Sequence, residues 1–458
     1  MSGENNSNSN SNSQLIPLSP SSSIGYGTHR LEFYAIDRLN NRSSINSILF
    51  TIPKIFNVKD YGAKGDGIAD DTQAIRNTIN AAINYLNSSS LQRIAIVYFP
   101  AGNYLVQGST LQYNDILAAA TTTNNSTTLM FLGTIVSQQQ QTATKLIRPN
   151  GAGTLFRFIN CHNLQFRNIN FYFMGPSKTT ALQFRESTSN ITIESCIFNR
   201  NTANDDNYYA DPNIAPYDYI AFMASDTTSK IIKNIVIRNN EFYDAPEDCI
   251  AFKVGGWQPA TLDGYLEISR NRFVRVSSSH RLTLNNEPRP GAAITYANPT
   301  TSNAQILIDS NYFESTSQYR NSIAIGYSRF RNAQITNNVV KGFTQGIRAY
   351  TGAGSANASY NVRIANNTLD GRDVNGTPNI YPFGSSVDPW RNSGIVIHGD
   401  TILVENNSIQ YFGLFGFYLY YIDKPANIPS TNVTLQGNTI INNNQARYSW
   451  VSDVGKQV

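Results

Sequence analysis

Asp218 and Asp248 carry the clearest chemical potential in this chain. Each stands two residues before an isoleucine, Ile220 and Ile250, in nearly the same word: Tyr219-Ile-Ala-Phe and Cys249-Ile-Ala-Phe. The two aspartates are 30 residues apart. If the two words are neighbouring strands of a parallel stack, the strands lie about 4.8 Å apart. Carboxylates that close repel, so one is expected to keep its proton at neutral pH. An acid beside a base is what hydrolysis of a glycosidic bond needs. Glu247 and Asp226 are further acid candidates. The plainer alternative for every one of them is a turn-forming or solvated carboxylate. A lyase would instead need a base, often Lys or Arg, and positive charge to neutralise a uronate. Lys253, Arg185, Arg270, Arg272 and His280 offer these.

The strands that must position these groups recur along the chain. The words Ala181-Leu-Gln-Phe-Arg, Ser322-Ile-Ala-Ile-Gly, Gly346-Ile-Arg-Ala-Tyr, Gly394-Ile-Val-Ile-His and Gly416-Phe-Tyr-Leu-Tyr follow the same pattern as the two aspartate words. Aligned on Leu182, Ile220, Ile250, Ile323, Ile347, Ile395 and Phe417, they point Gln183, Arg185, Met223, Lys253, Arg348, Tyr350, His398, Tyr418 and Tyr420 to solvent. Aromatic rings beside hydrogen-bond donors make a saccharide groove; the alternative is an ordinary solvated sheet face. The column two residues before the anchor reads Thr180, Asp218, Asp248, Asn321, Gln345 and Ser393. Long insertions between strands bring Asp205, Asp206, Tyr208 and Tyr209, then Trp257, then Asp388, Trp390 and Arg391. Such aromatics serve as platforms for sugar rings or simply pin their own loops.

A second pattern gives the architecture. Phe166, Ile193, Ile237, Ile268, Ile308, Ile335, Ile364, Val404 and Leu435 anchor nine copies, at spacings of 27, 44, 31, 40, 27, 29, 40 and 31. Another apolar residue stands two positions before each anchor and a third five positions after. Seven copies carry asparagine three residues after the anchor: Asn240, Asn271, Asn311, Asn338, Asn367, Asn407 and Asn438. Apolar residues two apart make a strand with one buried face. Asparagine suits a sharp bend because it tolerates left-handed backbone. Short strands and bends repeating near every 30 residues describe a solenoid, with the asparagines stacked as an amide ladder.

Composition narrows the partners. Charged residues are 14% of 458, and the net charge is +4. This neutral surface, rich in Asn, Ser, Thr and Tyr, suits sugars and steers nucleic acid poorly. Cys161, Cys196 and Cys249 lack metal-ligand spacing and read as buried thiols. No cofactor or metal is implied. No apolar run is long enough to span a membrane, and Met1–Gln14 does not read as a secretory signal.

Residues 1–23 are Ser/Asn-rich and read as disordered. Two strand-like runs follow, Leu31–Ile36 and Ile48–Ile52. The stretch from Gly27 to Ser43 resembles the closing strands of bacterial immunoglobulin-like modules, so residues 24–53 are a domain remnant or strands that pair elsewhere. Next comes Phe56-Asn-Val-Lys-Asp-Tyr-Gly-Ala-Lys-Gly-Asp-Gly-Ile-Ala-Asp-Asp-Thr-Gln-Ala-Ile. Gly62, Gly65 and Gly67 allow a tight path. Asp70 or Asp71 can cap a helix over about 71–86, whose stripe Ile75, Ile79, Ala82, Ile83 and Leu86 would cover the open end of the solenoid. The alternative for Asp66, Asp70 and Asp71 is a metal site.

That stretch resembles the N-terminal signature of the pectate-lyase-like superfamily. The resemblance covers about residues 54–445. It implies an all-β fold, a single-stranded right-handed parallel β-helix over residues 54–458 with an N-terminal capping α-helix. Glu247-Asp-Cys-Ile-Ala-Phe-Lys resembles the Asp-Asp-Cys-Ile-Ala strand of polygalacturonase-type glycoside hydrolases, which places Glu247 and Asp248 on the acting pair. No Gly-His-Gly or Arg-Ile-Lys word follows; Ser279-His-Arg stands roughly where the former would be. Together these imply a polysaccharide-degrading protein similar to phage tailspikes, homotrimeric and placed on a virion tail or cell surface. A polysaccharide lyase and a glycan-binding fibre without activity remain the alternatives.

Overall fold

The computed structural model describes residues 25–36, 38–88, 93–117, 127–136, 141–149, 153–175, 180–201, 218–224, 230–245, 248–252, 260–276, 291–296, 300–315, 322–326, 330–349, 359–378, 392–420, 422–423, 428–441 and 449–451. Among them, parallel strands stack into three long sheets of 12, 12 and 11 strands. The first sheet runs from Lys54–Asn57 to Thr431–Gln436 and holds the nine anchors. The second runs from Asp66–Asp70 to Thr439–Ile441 and holds the apolar residues five positions later. The third runs from Leu111–Asn114 to Ser449–Val451 and holds the two aspartate words. From Ile94 on, the chain visits the sheets in that order on each coil, which makes a parallel β-helix.

Stacking like on like builds the core. Phe171, Phe198, Phe242, Phe273 and Phe313 lie in one column, with ring centroids 4.9, 4.8, 4.8 and 4.7 Å apart. Phe184, Phe222 and Phe252 repeat this on the third sheet at 4.9 and 4.7 Å. The spacing is that of adjacent strands, so each ring covers the next with little loss of rotamer freedom. Cys161, Cys196 and Cys249 are buried free thiols; burial pushes the first two up to about 12.

The asparagines form the ladder. Each Nδ2 from Asn240 to Asn407 donates to the Oδ1 of the next asparagine at 2.9–3.0 Å. The same Oδ1 also accepts the backbone N–H of the asparagine below, as from Asn240 to Asn271 at 3.0 Å. The bend itself is made differently from the expectation. The left-handed residue is the one before the ladder position: Asn239, Arg270, Ser310, Asn337, Asn366 and Asn406, with φ of 52–57°. The ladder asparagine is selected for its buried amide, and its predecessor for the turn.

At the N-terminal end, a helix spans Thr72–Asn87 and buries Ile75, Ile79, Ala82 and Leu86. It packs against the first strands of the first sheet, Lys54–Asn57, Ile94–Phe99 and Thr128–Gly133. Asp70 Oδ1 accepts from Thr72 N at 3.0 Å and from Gln107 N at 3.2 Å. Asp71 gives no side-chain cap and instead accepts from Lys64 N and Gly65 N at 2.6 and 3.1 Å, holding the glycine loop. Gly65 has φ +66°, and a Cβ there would meet the Tyr104 ring at 2.9 Å. Among the described residues no group of three or more His, Cys, Asp or Glu is placed to hold a metal. No described helix is long and apolar enough to cross a membrane.

Strands Gly27–Phe33 and Asn46–Ile52 pair antiparallel with each other, Gly27 opposite Ile52. Leu31, Phe33, Ile48 and Leu49 in this hairpin are exposed.

Candidate functional site

Ile220 pairs with Ile250 across adjacent strands of the third sheet. Two residues back, that register brings Asp218 beside Asp248, and Tyr219 N donates to Asp248 O at 3.3 Å. The column expected from the sequence therefore exists at its acidic centre. Both aspartates sit where the chain enters the sheet, and both are almost enclosed, 2% and 6% exposed. Asp248 Oδ1 accepts from Ala292 N on the next strand at 2.9 Å.

Asp244 and Arg275 join the aspartates here. The Cys249 thiol is raised well above its usual value, first by burial and then by the charges of Asp248, Asp218 and Asp244. Asp244 is a third carboxylate residue at this corner, its backbone carbonyl 3.4 Å from the Tyr219 hydroxyl. It is left-handed, φ 55°, and Arg275 holds it through two bonds of 2.6 and 2.9 Å. The signal was present: Asp244 and Arg275 both stand seven residues after their anchors, Ile237 and Ile268.

The third-sheet alignment needs correction on one coil. Strand Gly291–Tyr296 intervenes between the Ile250 and Ser322 strands. Register then continues Ile250, Ile294, Ile325, Ile347. Ile325, rather than Ile323, occupies the anchor column, and Ile323 pairs with Gln345 in the column of the aspartates. The word Ser322-Ile-Ala-Ile-Gly holds two isoleucines two apart, so periodicity alone could not choose between them.

The outer face of this sheet is also not the solvated surface expected. Gln183, Met223, Arg348, His398 and Tyr418 are 3, 7, 4, 0 and 4% exposed, and Arg185 is half-buried. Tyr418 packs with Val396 and Phe415 in a small apolar cluster, its ring 5.4 Å from that of Phe415. Outward Ala221, Ala251 and Val396 explain the preference: small or apolar outer side chains gain by being covered. Gln183 accepts from Arg157 Nε at 2.6 Å, which in turn reaches Gln112 at 3.2 Å. Arg270 and Arg272 do not join the aspartates. Arg270 lies at a bend after the first sheet. Arg272, on the second sheet, lies 5.7 Å from each of the Tyr243 and Tyr312 rings. Glu247, Asp226, Lys253, Trp257, His280, Tyr350, Trp390 and Arg391 lie outside the described residues, as do Asp205, Asp206, Tyr208, Tyr209, Asn321 and Asp388. Tyr420 ends the strand Phe415–Tyr420, and its side chain is outside the description.

Residues 55–287, about half of the chain, match the family described as rhamnogalacturonase A/epimerase, pectate lyase-like. The chain belongs to this family. Its matches to curated proteins are short. A non-secreted LysM effector of Penicillium expansum is 55% identical over 64 residues, 13% of this chain and 5% of that protein. A probable glucan endo-1,3-beta-glucosidase of Arthroderma benhamiae is 48% identical over 63 residues, 13% of this chain and 7% of that protein. The chain thus spans only a small part of these relatives' length. Among solved structures, the surface adhesin PfbA of Streptococcus pneumoniae aligns over 88% of this chain and 97% of its own, at 16% identity and TM-score 0.43.

Proposed function

We propose that this pectate-lyase-like protein binds a long polysaccharide against the side of the solenoid and cleaves it by hydrolysis. The observation that carries this reading is the Asp218–Asp248 pair, two carboxylates at one register on adjacent strands. In this reading Asp248, with the Ala292 N–H on its Oδ1, stays ionised and takes a proton from water. Asp218 delivers a proton to the leaving glycosidic oxygen as the anomeric carbon–oxygen bond breaks, and the water oxygen takes its place on that carbon. Glu247 adjoins the pair in sequence as a third acid, and Asp226 as a fourth. Asp244 is tied to Arg275 and holds the corner. The glucosidase relative supports a carbohydrate ligand.

A second reading has an observation of its own. Both carboxylates are almost enclosed, and Asp248 bonds a strand N–H, as a purely structural aspartate in a glycan-binding fibre would. A lyase on the same scaffold would rest on Arg185 and Lys253 as bases. We further infer that the helix Thr72–Asn87 closes the end of a right-handed coil. The protein acts at a cell surface or virion tail as a tailspike-like homotrimer, which sedimentation tests.

The test is a digest of cell-surface and capsular polysaccharides by wild type, Asp218→Asn and Asp248→Asn. New reducing ends without unsaturated-uronate absorbance, abolished by either substitution, support hydrolysis at the pair. Unsaturated uronate moves the chemistry to the lyase set. Binding without product from the whole panel favours the fibre.

A further inference from the structure

The outer face of the first sheet carries a groove away from the aspartate corner. It encloses about 1150 Å³ and extends from the coil of Tyr265 to that of Asn432. Its floor includes one continuous outward row, Leu307, Gln334, Arg363, Leu403 and Thr434, paired in register on five successive strands. Four strand intervals make this row about 19 Å long. Beside it runs a second amide stack, in which Asn361 Nδ2 donates to Asn332 Oδ1 at 2.8 Å.

The chemistry of the row is selective. Arg363 is the one charged residue among the described lining residues. Glu405 already neutralises it, accepting from Arg363 Nε at 2.7 Å and lying 2.6 Å from its terminal nitrogen. The Gln334 amide and Thr434 hydroxyl have no hydrogen-bond partner among the described residues, and both residues are exposed. Leu307 and Leu403 are half-buried and offer apolar patches between the polar groups. A sugar ring presents hydroxyls at its edge and C–H groups on its faces, so amide, hydroxyl and leucine at strand spacing complement it. A polyanion finds no unpaired cation in this row to offset its desolvation.

We propose that this groove is a second glycan-binding site, separate from the aspartate corner, that takes an uncharged oligosaccharide extended along the solenoid axis. It does not depend on cleavage at Asp218 and Asp248, and holds for the enzyme and the fibre alike.

The experiment is titration calorimetry of the full chain with cello-, malto- and laminari-hexaose, with hexagalacturonate as the anionic comparison. Wild type, Asp248→Asn, the double variant Gln334→Ala/Thr434→Ala, and Leu403→Asp are compared, each checked for a wild-type melting temperature. At least one neutral hexaose is expected to bind wild type and Asp248→Asn equally. The double variant should weaken that binding about tenfold, the loss of two neutral hydrogen bonds. Leu403→Asp should abolish it. If either groove variant melts early, Gln334→Glu, at an exposed position, replaces it, with binding weakened about tenfold. The proposal is overturned if none of the neutral hexaoses binds. It is also overturned if their binding survives the groove substitutions, or if it is lost in Asp248→Asn.

Discussion

Replacing Asn338 by alanine tests the ladder at its middle. Asn338 Oδ1 accepts from Asn311 N and Asn311 Nδ2, both at 3.0 Å. Its Nδ2 donates to Ile308 O and to Asn367 Oδ1, also at 3.0 Å. The residue is fully buried, 0% exposed. Asn→Ala removes all four bonds but strands the partners unequally. Asn367 Oδ1 still accepts the backbone N–H of residue 338, and Asn311 Nδ2 still donates to Ile268 O. The Asn311 N–H and the Ile308 carbonyl lose their ladder partner in a site closed to water. The Ile308 carbonyl keeps the sheet bond from Thr336 N that its pairing provides, so the loss is that of four buried bonds at about 0.5–1.5 kcal/mol each, about 2–6 kcal/mol in all. That is a large share of a typical stability. Asn438→Ala is the comparison: the half-buried last rung makes two accepted bonds, at 3.0 and 2.9 Å, and one donated bond at 2.8 Å. Asn438 itself is part-exposed, so water can take the place of its amide, and its loss should be under half as large. Guanidinium unfolding followed by far-UV circular dichroism reads both. An Asn338→Ala protein within about 1 kcal/mol of wild type, or no weaker than Asn438→Ala, would refute the claim that the buried amides hold the coils together.

Phe273→Ala removes an interior ring of the phenylalanine column, with rings 4.8 and 4.7 Å on either side, and should cost about 3–5 kcal/mol in the same unfolding assay. Asp263 is held below the usual carboxylate range, chiefly by the Thr301 hydroxyl bonded at 2.6 Å and secondarily by Lys233. A depressed folded value means stability present above the unfolded pKa and lost as pH falls through the folded one. Thr301→Val should therefore flatten the acid limb of a stability–pH curve below the ordinary aspartate range and lower stability at neutral pH. The three buried thiols should stay unreactive to a disulfide reagent in the folded protein and all react in guanidinium.

Much of the solenoid was legible because its repeat restates one physical requirement on every coil. An apolar pair points inward, and an asparagine three residues later meets its own kind above and below. Nothing in a sequence states a φ angle, so the pattern points to the ladder asparagine for the turn and not to Asn239 or Asn337 before it. A second asparagine series, Asn163, Asn190 and Asn234, is fainter in the sequence. It stands three residues before the anchors, is left-handed, and is bonded Asn190 to Asn163 at 2.7 Å and Asn234 to Asn190 at 2.9 Å. The third sheet was harder for a specific reason. Its strands are separated by stretches of very different length, and both its faces are covered. Alternation between apolar and polar, which fixes register where one face is wet, is therefore weak there. For that reason the pattern does not choose between Ile323 and Ile325, does not mark the Gly291–Tyr296 strand, and does not reveal the burial of Arg348, His398 and Tyr418. The aspartate column survived because Tyr219-Ile-Ala-Phe and Cys249-Ile-Ala-Phe are nearly the same word.

The most direct test of the central claim is cleavage in heavy-oxygen water. A surface polysaccharide bound by the wild-type chain is incubated with wild type and with Asp248→Asn, and the products are weighed by mass spectrometry. Hydrolysis at the Asp218–Asp248 pair predicts one heavy oxygen at each new reducing end with wild type, and no product with Asp248→Asn. Unlabelled products bearing an unsaturated uronate, or labelled products formed equally by Asp248→Asn, would contradict it.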